Sequence, residues 1–299
     1  MGEPGALSVA YPGPVLVLGH SGFIGKPLTQ LLSQRAADVH GFSSRDVNLR
    51  DATALTRFDP FMGAETTVFV CAALTPDRGA TIDACVDHIN MSGNLARYLS
   101  RQTARKVVFV SSDAVYPMVE AAVDEDTPTS PAGAYPVAKY ASERLMEMGT
   151  AAQSVPLLIV RPTGVFGPGD THNSYGPNRF IRTALADHSV RLFGQGEESR
   201  DHLYLDDLTR ILSDLGVSEA TGVLNIATGT SRTFGSIVEL LQTLTPEPFE
   251  VVNAPRAGAI THRRFDIRRL SATLPGLHFT PFEDALKATL SAAVDPGRA

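Results

Sequence analysis

An apolar run, PVLVLG (14–19), passes directly into glycines at 19, 22 and 25 and then into KPLTQLLSQRA (26–36), whose apolar residues recur at helical spacing. No other stretch restricts the fold as tightly. A short run that is apolar on both faces reads as a buried parallel strand. A parallel strand in turn needs a crossover of a dozen or more residues before its neighbour, usually a helix. The pattern repeats along the chain. TVFVCAA (67–73), KVVFVSS (106–112) and PLLIVRP (156–162) read as further buried strands, separated by helical patterns at CVDHINMSGNLARYLS (85–100) and YPVAKYASERLMEM (135–148). Strand and helix in alternation predict an α/β fold, a Rossmann-type doubly wound parallel sheet.

After residue 163 the texture changes. GVFGPGDTHNSYGPN (164–178) is rich in Gly, Pro, Asn and Asp and reads as a long functional loop. GVLNIATG (222–229) is expected to return to the sheet, and 231–299 reads as mostly helical with one extended piece, FEVVNAP. The 299 residues are 43% hydrophobic and 19% charged, enough for a main domain with a smaller companion. The formal charge of -6 leaves no electrostatic footprint for nucleic acid, and no apolar run reaches membrane-spanning length. MGEPGALSVAYPGP lacks a basic segment followed by an apolar one, so no secretory signal is expected. Cys71 and Cys85 are too few for a disulfide framework, and a cytoplasmic location is expected. His172, His188 and His202 lie in later loops without metal-ligand spacing, so no metal is expected.

Glycines between a strand and a helix let the turn be tight and the backbone approach a pyrophosphate at the helix N-terminus. Gly19, Gly22 and Gly25 stand in that context, spaced Gly-x-x-Gly-x-x-Gly. The main domain, 14–165 with 202–228, is therefore expected to hold a dinucleotide. Residues 166–201 with 229–299 would form a smaller C-terminal α/β substrate domain, with the site in the crevice. An NAD-type site ends its second strand with an acid for the ribose hydroxyls. Here DVHGF is followed by Ser43, Ser44 and Arg45, a set that suits a 2′-phosphate. NADP(H) is thus favoured over NAD(H); the alternative is that Arg45 is a solvated loop residue and Asp46 takes the ribose. Asn48 and Leu49 are placed to line the adenine or simply to end a strand.

Tyr135 and Lys139 are one helical turn apart and share a face. A free phenol, with a pKa of about 10, is a poor proton shuttle at neutral pH. Lowering that value by about three units takes roughly 4 kcal/mol of differential stabilisation, which a neighbouring cation supplies. SSDAVYP places Ser111 and Ser112 at a strand end, ready to hold the reacting oxygen. Together these form an acid/base device for a carbinol–carbonyl pair beside a nicotinamide. Alone, the same spacing would describe a surface lysine lying along its helix.

The order GHSGFIG, CAA, SSDAVY, YPVAK, RPTGVFGPGD, RDHLYLDDL, from about residue 14 to 290, resembles the extended short-chain dehydrogenase/reductases, the NAD-dependent epimerase/dehydratase group. The resemblance implies that Ser112 is the catalytic hydroxyl, Tyr135 the proton donor or base, and Lys139 the holder of the nicotinamide ribose. It implies a pyrophosphate loop of Gly19, Ser21, Gly22, Phe23, Ile24 and Gly25. Ala72, Ala73, Asn90, Ser111 and Pro162 would complete the cofactor contacts, and the usual substrate is a nucleoside-diphosphate sugar. Arg200, Arg256 and Asn178 match positions that face the diphosphate or sugar, and Asp113 either contacts the sugar or caps the turn. The resemblance also implies a homodimer paired through two long helices.

Departures from the group narrow the chemistry. Ser112 is followed by Asp113 and then Ala114, so the acid pair of the 4,6-dehydratases and the glutamate of the decarboxylases are both missing. GHSGFIG and SSRDVNLRD look most like the NADP-dependent GDP-L-fucose synthases. Their epimerising Cys and His are replaced by Ala114 and Arg179. The expectation is therefore NADPH-dependent reduction of a nucleotide-linked 4-keto-6-deoxy sugar, with hydride to C4 and Tyr135 as proton donor. The alternative is a 4-epimerase that retains NAD. A non-catalytic dinucleotide sensor is a third, remoter class.

Overall fold

The computed structural model describes residues 10–75, 81–172 and 174–295; the first nine residues, part of the stretch judged for a signal, lie outside them. The chain divides into two compact units. The first comprises the N-terminal part through Ser111, Gly133–Val160 and Thr209–Val223; the second comprises Ser112–Ala132, Arg161–Leu208 and the remainder from Leu224.

The first unit starts with β1 (Val15–Leu18), α1 (Gly25–Leu32) and β2 (Val39–Phe42), then a 3-10 stretch over Ala52–Phe61, β3 (Thr67–Val70) and α2 (Ile82–Leu99). β4 (Lys106–Val110), α3 (Ala134–Ala151) and β5 (Leu157–Pro162) follow. β1 pairs in parallel with both β2 and β3, β3 with β4, and β4 with β5. Every residue of β1, β3 and β4 is buried, which is why these strands are apolar on both faces rather than alternating. The sheet order is β2-β1-β3-β4-β5-β9, with β9 at Gly222–Ile226, so the expected return of GVLNIATG to the sheet holds. Order reverses beside β1, and ligands of open parallel sheets bind at the carboxyl ends of strands at such a switch point.

The capping chemistry matches the boundaries. Thr81 caps α2, its hydroxyl accepting from the Ala84 N–H at 3.2 Å. Gly133 precedes α3 with a φ of 92°, a conformation that penalises a side chain, and Pro136 sits in the first turn where no N–H is needed. α2 and α3 pack along each other, joined at their core by Ser92 Oγ donating to Ser142 Oγ at 2.7 Å.

The second unit contains β6 (Gly164–Phe166), α4 (Pro177–Asp187), β7 (Ser189–Phe193) and β8 (Ser199–Tyr204). α5 (Leu205–Val217) starts in this unit, and β10 (Ser231–Thr233), α6 (Phe234–Leu244), β11 (Glu250–Ala254), α7 (Arg268–Thr273) and α8 (Phe282–Val294) complete the chain. β10-β8-β6 form a three-stranded sheet, and β11 pairs in parallel with β7. A separate apolar cluster, including Phe166, Phe180, Phe234, Leu241 and Leu286, gives this unit its own core.

Candidate functional site

The loop between β1 and α1 is built by sterics. A Cβ on Gly25 would lie 2.1 Å from the Gly19 carbonyl oxygen and 3.0 Å from the His20 Cα. A Cβ on Gly19, whose φ is 88°, would lie 2.7 Å from the Ala72 nitrogen. The loop backbone is therefore pressed against the end of β3, with Ala72 at the turn and Ala73 following it half-buried. Ser21 and Gly22 are exposed at the tip, with Phe23 and Ile24 leading into the first turn of α1. This cradle, open at the tip and closed to side chains at its base, fits a pyrophosphate.

At the end of β2 the Asp46 carboxylate folds back onto Ser43, accepting from its N–H at 2.8 Å and its hydroxyl at 2.6 Å. Those hydrogen bonds hold Asp46 below the usual carboxylate range, so it is ionised at neutral pH. Ser44 and Arg45 are exposed beside it. Asn48 is exposed, its side chain accepting from the Arg50 N–H, whereas Leu49 is buried in the core. Asn90 is exposed on α2, and Pro162 is buried at the end of β5.

Lys139 is only 2% exposed, which rules out a solvated surface lysine. Its Nζ donates to the Val110 carbonyl at 2.9 Å and lies 5.9 Å from the centre of the Tyr135 ring. Burial pushes its pKa down to about 8, with Cys71 and Glu143 opposing that shift. Tyr135 itself is half-buried. Ser111 is buried and its hydroxyl donates to Glu143 Oε1 at 2.5 Å. Its side chain thus faces a carboxylate that sequence reasoning passed over, although Glu143 follows Lys139 by one more turn of the same face.

In the second unit Ser112 caps a short 3-10 turn (Asp113–Val115), its Oγ accepting from the Ala114 N–H at 3.1 Å. Asp113 is gripped by Arg263, which donates to its carbonyl at 2.7 Å and to Oδ2 at 3.1 Å. Burial raises the Asp113 pKa against the pull of Arg263 and Arg200. Arg200 donates to the Ser199 and Thr261 carbonyls, each at 2.8 Å, and its proximity to Arg263 lowers its pKa further than burial alone. Arg263 keeps a buried Nε with no hydrogen-bond partner among the described residues. The unit thus brings Ser112, Asp113, Arg200 and Arg263 together. Sequence reasoning missed Arg263 because HRRFD carries no local signal for a contact 150 residues away.

Two expected substrate contacts are engaged elsewhere. Arg256 donates to Glu198 Oε1 at 2.8 Å, to Glu197 Oε2 at 2.5 Å and to the Phe193 carbonyl. Asn178 donates to the Gly167 carbonyl at 2.7 Å and accepts from the Gly167 N–H at 3.0 Å, pinning the turn after β6.

Comparison with known proteins places this geometry. The model of the NAD dependent epimerase/dehydratase family matches residues 15–227. A UDP-glucose 4-epimerase of Mycolicibacterium smegmatis is 28% identical over 289 residues, covering 87% of this chain and 91% of its own. The Thermus thermophilus UDP-glucose 4-epimerase complex with NAD has the same fold, with a TM-score of 0.83 at 23% identity and coverage of 94% and 99%. MoeE5 in complex with UDP-glucose and NAD gives 0.79 at 24% identity, with coverage of 95% and 99%.

These findings overturn two expectations. The preference for NADP(H) drawn from Ser43, Ser44 and Arg45 does not stand: the matching family is NAD dependent and the two structures compared above are complexes with NAD. The physical reason lies in Asp46, whose ionised carboxylate occupies Ser43 and would repel a 2′-phosphate. The narrower likeness to GDP-L-fucose synthases also gives way, because the relatives compared above include UDP-glucose 4-epimerases that match most of the chain. With the glycine cradle, the strand-end acid and the tyrosine–lysine helix in place, the chain is an enzyme of the NAD dependent epimerase/dehydratase family.

Proposed function

We propose that the protein is an NAD-dependent 4-epimerase of a nucleoside-diphosphate sugar. The observation that carries the chemistry is the buried Lys139 ammonium beside the Tyr135 ring. Support for epimerisation over net reduction comes from Asp46, an acceptor suited to unmodified ribose hydroxyls, and from the 4-epimerase relative covering most of the chain. A redox-neutral reaction needs no supply of reduced cofactor, consistent with an NAD-type site. Arg200 and Arg263 support an anionic substrate, since guanidinium groups remain charged and bind phosphate oxygens in pairs.

In this reading Tyr135, kept acidic by the Lys139 charge, takes the proton of the sugar C4 hydroxyl, and Ser112 Oγ hydrogen-bonds to that oxygen. NAD, when bound, supplies a reversible acceptor for the C4 hydride. Tyr135 then returns the proton to the C4 oxygen once the 4-keto sugar has presented its other face. Lys139 and the glycine cradle orient the site throughout. Incubating the enzyme with UDP-, GDP-, CDP- and dTDP-hexoses and following C4 configuration by NMR tests the reading. Epimerisation without net change in cofactor absorbance is expected, with loss of roughly 10²–10⁴-fold in Tyr135→Phe. Stoichiometric consumption of reduced cofactor, or a fully active Tyr135→Phe, would overturn it.

A further inference from the structure

Glu143 has no part in the chemistry described above, yet it is a carboxylate with no exposed surface at all. A charge is removed from water only where partners compensate it. Tyr135, Lys139 and Glu143 succeed one another at one-turn intervals along α3, so they share the face turned toward β4. Two consecutive residues at the end of that strand receive the two opposite charges. The Val110 carbonyl accepts from Lys139 Nζ at 2.9 Å, and the Ser111 hydroxyl donates to Glu143 Oε1 at 2.5 Å.

We propose that Glu143 is a positioning residue for Tyr135: clamped by Ser111, its carboxylate keeps Lys139 cationic at working pH, and Lys139 in turn keeps the tyrosine acidic. This rests on the epimerase reading for its catalytic consequence, though not for its electrostatics. The other groups facing Lys139 supply no lasting counter-charge. Cys71, at the end of β3, is pushed up to about 12 by burial and stays a neutral thiol. His88, from α2, is pushed down to about 3 by burial and by Lys139 and stays a neutral imidazole. Phe109 presents a ring 5.4 Å from Nζ, and Tyr135 is the group being tuned. Glu143 is therefore the carboxyl group among the described residues that acts against the burial of Lys139. Its removal takes away one of the two groups, with Cys71, that oppose the effect of burial on Lys139. A charge about one helical turn away at an effective dielectric near 20 moves a pKa by about one to two units.

The test uses the full-length enzyme and two readouts. Lys26, Lys106, Lys139 and Lys287 are the chain's lysines, so isotope-labelled lysine side chains can be assigned and titrated by NMR. In Glu143→Gln the Lys139 titration should fall by about one unit, and the basic limb of the kcat profile should move to lower pH by the same amount, with the sugar KM unchanged. Glu143→Asp should restore part of the shift. Ser111→Ala should move both readouts in the same direction by less, and it serves alone if Glu143→Gln does not fold. An unmoved Lys139 titration in a folded Glu143→Gln or Ser111→Ala variant overturns the inference. Failure of the epimerase reading looks different: the Lys139 titration would still shift, while wild-type enzyme epimerised no sugar.

Discussion

Gly25→Ala tests the claim that the loop between β1 and α1 is held shut by backbone contact. The added Cβ would lie 2.1 Å from the Gly19 oxygen and 2.8 Å from the Gly19 carbonyl carbon. Carbon–oxygen contacts settle near 3.3 Å, so the two backbones must part by about 1 Å. Both ends resist. Gly19 is anchored by its N–H to the Phe42 carbonyl at 2.7 Å, and its own carbonyl accepts from the Gly22 N–H at 3.0 Å. α1 is anchored by Leu28 and Leu32, both fully buried. Overpacking of this kind costs about 1–3 kcal/mol, and losing the Gly22 hydrogen bond about 1 more. At roughly 2–4 °C per kcal/mol for chains of this size, the melting midpoint should fall by about 5–15 °C. Gly22→Ala meets only the Gly19 oxygen, at 3.3 Å, and should cost less than about 1 kcal/mol. Gly63→Ala meets nothing nearer than Thr66 Oγ1 at 4.0 Å and should be neutral. Thermal unfolding by circular dichroism, repeated with NAD, reads both effects, since ligand that binds the folded state raises the midpoint. A Gly25→Ala protein that melts with wild type and is stabilised equally by NAD would refute the steric argument.

Tyr116 is buried, donating to Asn225 Oδ1 at 2.9 Å and accepting from Arg161 Nη1 at 2.8 Å. Tyr116→Phe removes both hydrogen bonds and should destabilise by about 1–3 kcal/mol in denaturant titrations. Arg256 holds the Glu197 pKa down to about 2, chiefly through its direct hydrogen bond. The native value is depressed, so this interaction stabilises fully above the ordinary carboxylate pKa and is lost as pH falls through about 2. The difference in midpoint between wild type and Arg256→Ala should therefore be greatest near neutral pH and shrink on acidification; a constant difference would contradict the assignment.

Much of the site was readable because it is local. The glycine loop follows from three residues between a strand and a helix, and the Tyr135–Lys139 pair from a spacing of four on one helix. Glu143 was equally readable by that periodicity. The cofactor preference misled because the identities of Ser43, Ser44 and Arg45 say nothing of how the loop closes. Asp46 reaches back three residues to take the Ser43 hydroxyl, and that fold reverses the sign of the charge presented. Arg256 and Arg263 exchange importance for a similar reason. Both are arginines in one loop, but only the three-dimensional arrangement gives the first to Glu197 and Glu198 and the second to Asp113.

The amino-acid sequence by itself determined the parallel α/β sheet, the place of the phosphate cradle and the helix bearing the acid/base pair, because periodicity and glycine sterics act over a few residues. Tertiary structure alone decided which charged groups are buried and with what partners, from the Lys139 ammonium on the Val110 carbonyl to the Asp113 carboxyl held by Arg263. Charge states depend on water exclusion and on partners brought from distant parts of the chain. Neither is written in any single stretch of residues.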